Sequence, residues 1–194
     1  MRENTAFFLG KRSKSLENQL KEFGFSSVIF VKELRELKDF RNLKEKDYDA
    51  CLVRTKNSDF FRRITDKAVS KFKKILVFGL SDQINREALE NKKVFALVSP
   101  EHGRIKDLLY QRDSGLNHVL CKIAFRNKKR IIFNFAEVLN KTEKEQASLL
   151  GRMSQNLLLC KKDKVDYLFT IISSSVKDFT NFKKLESFER VLKN

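Results

Sequence analysis

The amino-acid sequence predicts an α/β fold: a small or incomplete, TIM-like (β/α) barrel of about seven parallel strands. Three observations support this prediction. The chain has 194 residues, a length typical of one domain, here residues 1–194. Short apolar runs recur along the whole chain, and stretches with helical periodicity separate them. Hydrophobic residues make up 41% of the chain, which is enough to bury a core.

Each apolar run is short and nearly continuous, so both of its faces can be buried. Such strands are typical of a parallel sheet covered by helices. About seven of them fit either a doubly wound open sheet or a barrel, and the chain is shorter than the roughly 250 residues of a full eight-unit barrel. We therefore favour the small or incomplete barrel. The runs span residues 5–9, 28–31, 50–53, 75–78, 94–98, 131–135 and 167–172.

The segments between the runs repeat apolar residues at the spacing of a helix face that packs on a core. The first such face contains Leu16, Leu20 and Phe23, and a later one contains Leu116, Val119, Leu120 and Ile123. Serines before these segments are predicted to cap the helices, and Gly24 is predicted to end the first one. The predicted caps are Ser13, Ser58, Ser81 and Ser114, and Ser114 with Gly115 would open the later helix.

The chain is strongly basic, because 41 Lys and Arg residues oppose 25 Asp and Glu residues and give a formal net charge of +16 at pH 7. Such a charge favours association with a polyanion, since neutralised phosphates release their condensed counterions. Drift toward lysine in an AT-rich genome is the alternative explanation. Drift alone does not require so large an excess of bases over acids.

A barrel would sort these charges onto two rims, because residues before parallel strands share one end and residues after them share the other. Basic clusters precede the fourth to seventh runs, where cations also complement helix dipoles, so RNA contact and a structural role both remain open there. These clusters are residues 73–74, 92–93, 126–130 and 161–164. The opposite rim would carry Lys11, Arg12, Arg54, Lys56, His102, Arg104, Gln111 and Arg112.

Cysteine and histidine counts exclude several kinds of site. The three cysteines have no CxxC spacing, so we expect buried thiols rather than disulfides or zinc ligands. Two histidines, His102 and His118, are too few for a multi-histidine metal centre. No glycine-rich phosphate loop or GxSxG motif occurs. The apolar runs are too short to span a membrane and no secretory leader is indicated, so we expect a cytoplasmic protein with no membrane partner.

Residues 107–122, DLLYQRDSGLNHVLCK, concentrate polar groups at the entrance of a predicted helix. Arg112 precedes the helix, Asn117 and His118 fall in its first turn, and Lys122 follows one turn later. A helix N-terminus with nearby cations is a favourable position for a phosphate. This segment resembles the signature of ribonuclease P protein component 3, a family with archaeal and eukaryotic members. Residues 82–90, 94–100, 147–153 and 172–175 extend the resemblance.

The resemblance implies a barrel related to the polymerase and histidinol phosphatase (PHP) superfamily, without the metal-binding histidines and acids of that superfamily. It implies a non-catalytic protein subunit that binds and stabilises the catalytic RNA of ribonuclease P, which removes 5′ leaders from precursor tRNA. The implied partners are the RNase P RNA, an RRM-like protein subunit, and precursor tRNA within the holoenzyme. No cofactor is implied for the protein itself, because magnesium belongs to the RNA.

The family motif also implies which residues contact RNA. After the serine run the family has an Arg-x-Pro-Arg-Asp-Leu sequence, whereas this chain lacks the proline and one arginine there. Lys183 is the predicted replacement, although it lacks the planar fork of arginine. Arg86, Arg112, His118, Lys122 and Arg152 match basic positions of the motif. With the helix entrance and the rim, the predicted RNA contacts are Arg54, Lys56, Arg86, Arg112, Asn117, His118, Lys122, Arg152 and Lys183.

The sequence leaves two alternative functions open. A metal-dependent phosphoesterase of the PHP superfamily would use His102, His118 and scattered acids as ligands, but two histidines cannot supply a clustered centre. A non-specific RNA-binding protein would use the same positive charge without preferring one RNA. Some phenylalanines lie near basic residues, and we expect them to pack in the core rather than to stack on bases. They are Phe60, Phe61, Phe72, Phe125 and Phe133.

Overall fold

One parallel sheet dominates the computed structural model, which describes residues 4–40, 43–104, 107, 112–139 and 141–192. Neighbouring strands follow one another in chain order and every pairing is parallel. The predicted α/β fold is therefore confirmed in its barrel form, since a doubly wound sheet would reverse its strand order. The strands are β1 (Thr5–Leu9), β2 (Ser27–Leu34), β3 (Ala50–Val53), β4 (Lys74–Phe78), β5 (Ala96–Val98), β6 (Arg130–Asn134), β7 (Asp166–Thr170) and β8 (Ile172–Ser173).

The last predicted run bends at Ile171 and closes the sheet. Before the bend, β7 pairs with β6, and after it β8 pairs with β1 at Phe7 and Phe8. The N–H of Phe7 donates to the carbonyl of Ile171 (3.1 Å), and the hydroxyl of Thr170 donates to the carbonyl of Thr5. The seven predicted runs thus occupy seven positions around a barrel, and the seventh contributes two short strands.

Helices cover the outside of the barrel and connect most of the strands. Ser13 and Ser81 cap the first and third helices as predicted, and Gly24 follows the C-cap of the first. The helices are α1 (Lys14–Glu22), α2 (Ser58–Ala68), α3 (Asp82–Glu90), α4 (His118–Arg126), α5 (Ala136–Leu139), α6 (Glu143–Lys162) and α7 (Phe182–Leu192). Short 3-10 turns span Leu37–Phe40, Glu45–Asp47 and Val176–Asp178.

Side chains alternate along the strands between two hydrophobic clusters, as the two-residue period of a strand requires. In β4, Leu76 and Phe78 belong to a cluster of strand and strand-flanking residues, which fills the inside of the barrel. Ile75 and Val77 belong to the larger cluster that the strands share with the helices. All three cysteines are free and buried, which confirms the prediction of core thiols.

The predicted start of the helix in the signature segment is wrong. Gly115 has a φ of +75°, a left-handed conformation that a right-handed helix cannot contain. The cap is instead Asn117, whose side-chain oxygen accepts a hydrogen bond from the N–H of Leu120 (2.9 Å). Ser114 is buried in the preceding loop. A similar but smaller shift affects α2, which is capped by Asn57 while Ser58 is its first residue.

The later start of α4 changes which of its residues are buried. Leu120, Cys121 and Ala124 form the buried face. Val119, predicted to pack on the core, is 63% exposed, and Phe125, predicted to be a core residue, is 55% exposed. Phe61, Phe72 and Phe133 are buried and Phe60 is partly buried against the core, as predicted.

Candidate nucleic-acid interface

Two buried asparagines hold the last part of the connection between β5 and α4, residues 112–117, against the barrel. Asn85 of α3 donates to the carbonyl oxygen of Gly115 (3.0 Å). Asn156 of α6 donates to the carbonyl oxygen of Ser114 (2.7 Å). Both asparagines are fully buried, so they replace hydrogen bonds that the irregular loop backbone would otherwise lose to burial. Residues 108–111 of the signature, including Gln111, lie outside the described residues.

Glu101 lies fully buried at the base of this connection. Its Oε2 atom accepts a hydrogen bond from the amide of Asn156 (3.2 Å), and its Oε1 atom has no hydrogen-bond partner within the described structure. Burial raises the pKa of Glu101 to about 8, and the nearby carboxylate of Glu137 acts in the same direction, against opposing hydrogen bonds and Arg104. Glu101 is therefore mostly protonated at neutral pH.

Ion pairs fasten the same connection from outside. The guanidinium of Arg104 lies 2.6 Å from Asp82 of α3 and 3.1 Å from Asp113. Arg152 of α6 donates through Nε to Asp107 (2.8 Å) and through Nη1 to the carbonyl of Arg104 (2.7 Å). The side chain of Arg152 is 8% exposed, so the structure assigns it to holding the loop, and its predicted contact with RNA stays a prediction.

The loop presents Arg112 in a defined position against α6. The side chain of Gln155 accepts from the N–H of Arg112 (3.2 Å) and donates to its carbonyl (3.0 Å) and to the hydroxyl of Ser114 (2.9 Å). The guanidinium lies over Gly151, where an added Cβ would be 2.4 Å from its Cζ atom. It also lies 3.6 Å from the carboxylate of Asp107. Arg112 is exposed, so its charge remains available to solvent.

We expect Gly151→Ala to move the Arg112 guanidinium away from α6 while leaving the fold intact. Alanine stabilises a helix interior relative to glycine by about 0.5 to 1 kcal/mol, and part of that gain should be lost in displacing Arg112. The measurement is urea unfolding of Gly151→Ala in the parent chain and in an Arg112→Ala background. The gain should be larger without Arg112, and equal gains would contradict the described contact.

An open groove of about 720 Å³ runs beside the positioned Arg112. Its walls are residues 112–120, Asp82 and Arg86 of α3, and Gln155 and Leu159 of α6. The groove thus brings together four of the predicted RNA contacts, although they are separated in sequence: Arg86, Arg112, Asn117 and His118. Asn117 caps α4 and is exposed, and Arg86 pairs with Glu90 one turn later (2.8 Å).

His118 connects this groove with the N-terminal rim of the barrel. Its Nδ1 atom is 3.0 Å from the carboxylate of Asp163, the C-cap of α6. Asp163 shortly precedes β7, so the signature segment descends the outer wall from the C-terminal rim toward the N-terminal rim. Lys122 follows His118 one helical turn later and is exposed.

The N-terminal rim carries the predicted basic clusters, because they directly precede or begin β4, β5, β6 and β7. Two cations flank the ring of Phe95, with Lys74 4.7 Å and Arg130 5.7 Å from its centroid. Lys129 is an exception within its cluster, since it is buried and donates to the carbonyl of Val94. Burial lowers the pKa of Lys129.

Arg54 closes the opposite end of the barrel. Its guanidinium lies 3.7 Å from the centroid of the Phe78 ring, and its Nε atom is 2.9 Å from Glu33. The side chain is 26% exposed, so only part of this predicted RNA contact faces solvent. Lys56, two residues further along, is exposed.

A histidine–carboxylate pair also lies at this C-terminal mouth, and no local sequence pattern predicts it. His102 packs edge-on against Phe78 (4.8 Å between centroids), and its Nδ1 atom is 2.7 Å from Glu137. Burial alone would raise the pKa of Glu137, but the hydrogen bond and charge of His102, with the charge of Arg54, lower it. The two partners are 35 positions apart in the sequence, so no local pattern reveals the pair.

Lys183 lies apart from the groove, at the start of α7. The N–H of its neighbour Phe182 donates to the carbonyl of Phe23 (2.8 Å), which places Lys183 beside the turn between α1 and β2. The lysine is exposed. Most of the predicted RNA contacts therefore form one group at the groove and α4. Arg54 and Lys56 lie at the C-terminal mouth, Lys183 lies beside the turn after α1, and Arg152 lies nearly buried beneath the loop.

The residues of the C-terminal mouth do not fit a PHP-type metal centre. A fixed guanidinium, that of Arg54, already occupies the mouth between Glu33 and Phe78, and its charge would repel a divalent cation. The described ranges contain no group of three or more His, Cys, Asp or Glu side chains suitably placed to bind a metal.

Of the helices in these ranges, none has the length and apolar character needed to cross a membrane.

Comparisons with known proteins give the same answer from sequence and from structure. Ribonuclease P protein component 3 of Methanococcus maripaludis is 27% identical over 173 residues, covering 84% of this chain and 70% of that protein. The protein of the same name from Methanocaldococcus jannaschii is 32% identical over 149 residues, covering 77% of this chain and 61% of that protein. No protein-family model matches the chain.

A solved structure extends the similarity to nearly the whole chain. A chain in the cryo-EM structure of archaeal ribonuclease P with mature tRNA superposes with a TM-score of 0.76 at 26% sequence identity. The match covers 98% of this chain and 83% of that chain. The closed parallel barrel, the signature segment at the entrance of α4 and these relatives lead to one assignment: the chain belongs to the ribonuclease P protein component 3 family.

Proposed function

We propose that this protein is a non-catalytic subunit of ribonuclease P that binds and stabilises the catalytic RNA for 5′-leader removal from precursor tRNA. The observation that carries the proposal is the groove at α4, where the hydrogen-bonded residues 112–117 present Arg112 beside Arg86, Asn117 and His118. Several cations fixed on one rigid surface can neutralise closely spaced phosphates without losing much conformational entropy. The relatives are named as ribonuclease P components, which supports the same role.

The proposed contribution of the protein is electrostatic. RNA folding brings phosphates close together, and a net charge of +16 would reduce the amount of magnesium needed to screen them. In this proposal the magnesium ions belong to the RNA, and the protein has no cofactor. Its proposed partners are the RNase P RNA, an RRM-like protein subunit and precursor tRNA in the holoenzyme, with a cytoplasmic location.

The proposal is tested by reconstitution with RNase P RNA and the RRM-like subunit. Adding this protein should shift cleavage of precursor tRNA to lower magnesium concentration, and binding should weaken steeply with salt. A length-matched unrelated RNA is the control for specificity. An unchanged magnesium requirement would contradict the stabilising role, and equal affinity for the control RNA would favour a non-specific RNA-binding protein.

Charge reversal tests the assignment of the groove. Arg112→Glu and Lys122→Glu should each weaken binding of RNase P RNA by about tenfold to a hundredfold at low salt, because each removes a phosphate contact and adds repulsion. The slope of log affinity against log salt should also fall by about one for each lost contact. Lys67→Glu on the exposed face of α2 is the matched control. Equal binding by all three variants would reject the surface formed by the groove and the adjoining helix α4 as the RNA site.

The phosphoesterase alternative is not supported by the arrangement of the residues that it needs. His102 pairs with Glu137 at the C-terminal mouth, whereas His118 pairs with Asp163 near the N-terminal rim. Arg54 lies where a metal centre at the mouth would need space and negative charge. Phosphodiester hydrolysis by the purified protein without RNA would revive this alternative.

A further inference from the structure

The outer face of α4 combines exposed cations with an exposed aromatic ring. His118, Lys122 and Phe125 are spaced by four and three residues, so they follow one another along the same side of the helix. Arg126 lies beside Phe125 on the adjoining side, and all four residues are exposed. α4 contains no acidic residue, and the carboxylate of Asp163 that contacts His118 is itself 13% exposed.

Phe125 is the unusual member of this face. The ring is 55% exposed, although the other face of the helix buries Leu120, Cys121 and Ala124 in the core. Leaving a phenylalanine in water forgoes the gain that burial would give. More than half of the ring is in contact with solvent, so burial in the core does not explain an aromatic residue at this position.

We infer that Phe125 stacks on an unpaired base of the bound RNA, while Lys122 and Arg126 contact the phosphates on either side. Proteins that bind single-stranded nucleic acid combine aromatic rings with cations, because the rings stack on the bases and the cations bind the backbone phosphates. His118 belongs both to this face and to the groove, so the two surfaces are continuous. The inference rests on the proposed function and adds a base contact to it.

RNA fits this surface better than an apolar protein partner does. The immediate surroundings of Phe125 are cationic, and Lys128 follows in the exposed turn after the helix. The centre of a protein interface is usually depleted of charged residues, whereas a nucleic-acid surface is enriched in them. An aromatic ring among cations can stack on a base, which an aliphatic residue cannot do.

The chain contains no tryptophan, so Phe125→Trp introduces a single fluorescent reporter at the proposed contact. Its emission should be quenched by poly(U), whose bases are largely unstacked, and much less by a poly(A)·poly(U) duplex, whose bases are paired and stacked. Val191→Trp places a tryptophan at another exposed apolar position, on α7, and should not be quenched. Because both positions are exposed, the unfolding temperatures of the variants should stay close to that of the parent.

Affinity for RNase P RNA separates stacking from simple apolar contact. Phe125→Ala and Phe125→Leu should each bind about tenfold more weakly than the parent, whereas Phe125→Trp should bind as tightly or more tightly. Parent-like binding by Phe125→Leu, or absence of quenching in Phe125→Trp, would overturn the stacking inference while RNA binding by the parent upholds the proposed function. Failure of the parent chain to bind RNA would overturn both.

Discussion

Replacement of Gly115 by alanine is expected to lower the free energy of unfolding by about 2 to 4 kcal/mol. The φ of +75° at Gly115 disfavours any residue with a Cβ atom, and that atom would lie 2.0 Å from the carbonyl oxygen of Pro100. This oxygen belongs to a backbone that Asn85 holds in place, so it cannot move aside cheaply. Urea unfolding measures the loss.

Gly103→Ala is the matched control for this prediction. Gly103 also has a left-handed φ, of +72°, but a Cβ added there would meet no atom within 4 Å. The control should therefore lose only about 1 kcal/mol from backbone strain. Equal losses in the two variants would mean that the loop shifts freely, which would argue against a rigid mount for Arg112.

Replacement of Glu101 by glutamine is expected to remove a strong pH dependence from the stability of the fold. Burial raises the pKa of Glu101 to about 8, from an ordinary value of 4.5. Between these values the folded chain retains a proton that the unfolded chain releases, so stability falls as pH rises, by about 1.4 kcal/mol for each unit. Below 4.5 and above 8 the contribution of this group no longer changes with pH.

Glutamine resembles the protonated acid in shape and cannot ionise, so Glu101→Gln should match the parent near pH 5 and exceed its stability increasingly toward pH 8. The measurement is urea unfolding of both chains across this range. Glu137→Gln is the control at the same mouth: because the pKa of Glu137 is lowered, that variant should be less stable than the parent at pH values above 4.5. A parallel pH profile for Glu101→Gln and the parent would contradict the prediction.

The strands could be predicted from the sequence because each is apolar on both faces and short enough to be bounded by turns. Closure of the barrel could not be predicted, because it depends on a bend at Ile171 inside one continuous apolar run. The sequence predicts the wrong start for α4 because Ser114 is a good cap by residue type. In the structure, Gln155 donates to the hydroxyl of Ser114 and Asn156 donates to its carbonyl oxygen, and these bonds hold Ser114 in the loop.

In the candidate site, too, the residues that are close in sequence could be predicted together, whereas those brought together by packing could not. Arg112, Asn117, His118 and Lys122 were identified together because they lie within a few residues of one another. Arg86 joins them only because α3 packs beside α4. The sequence contains no sign that Gln155 holds Arg112, because a glutamine inside a helix is an ordinary residue. Gly151 belongs to the segment that resembles the family, but its place beneath Arg112 follows only from the packing of the loop on α6.

Closure of the barrel by β8 has a consequence for how the polypeptide folds. Thr5 and Thr170 are 165 positions apart in the sequence. The residues that pair between β1 and β8 are separated by a similar distance along the chain. Loop closure of this length is entropically costly and slows the formation of the native topology. During translation, the edge of β1 stays unpaired until residues 172–173 have left the ribosome, so the nascent chain exposes a strand that is prone to aggregation up to that point.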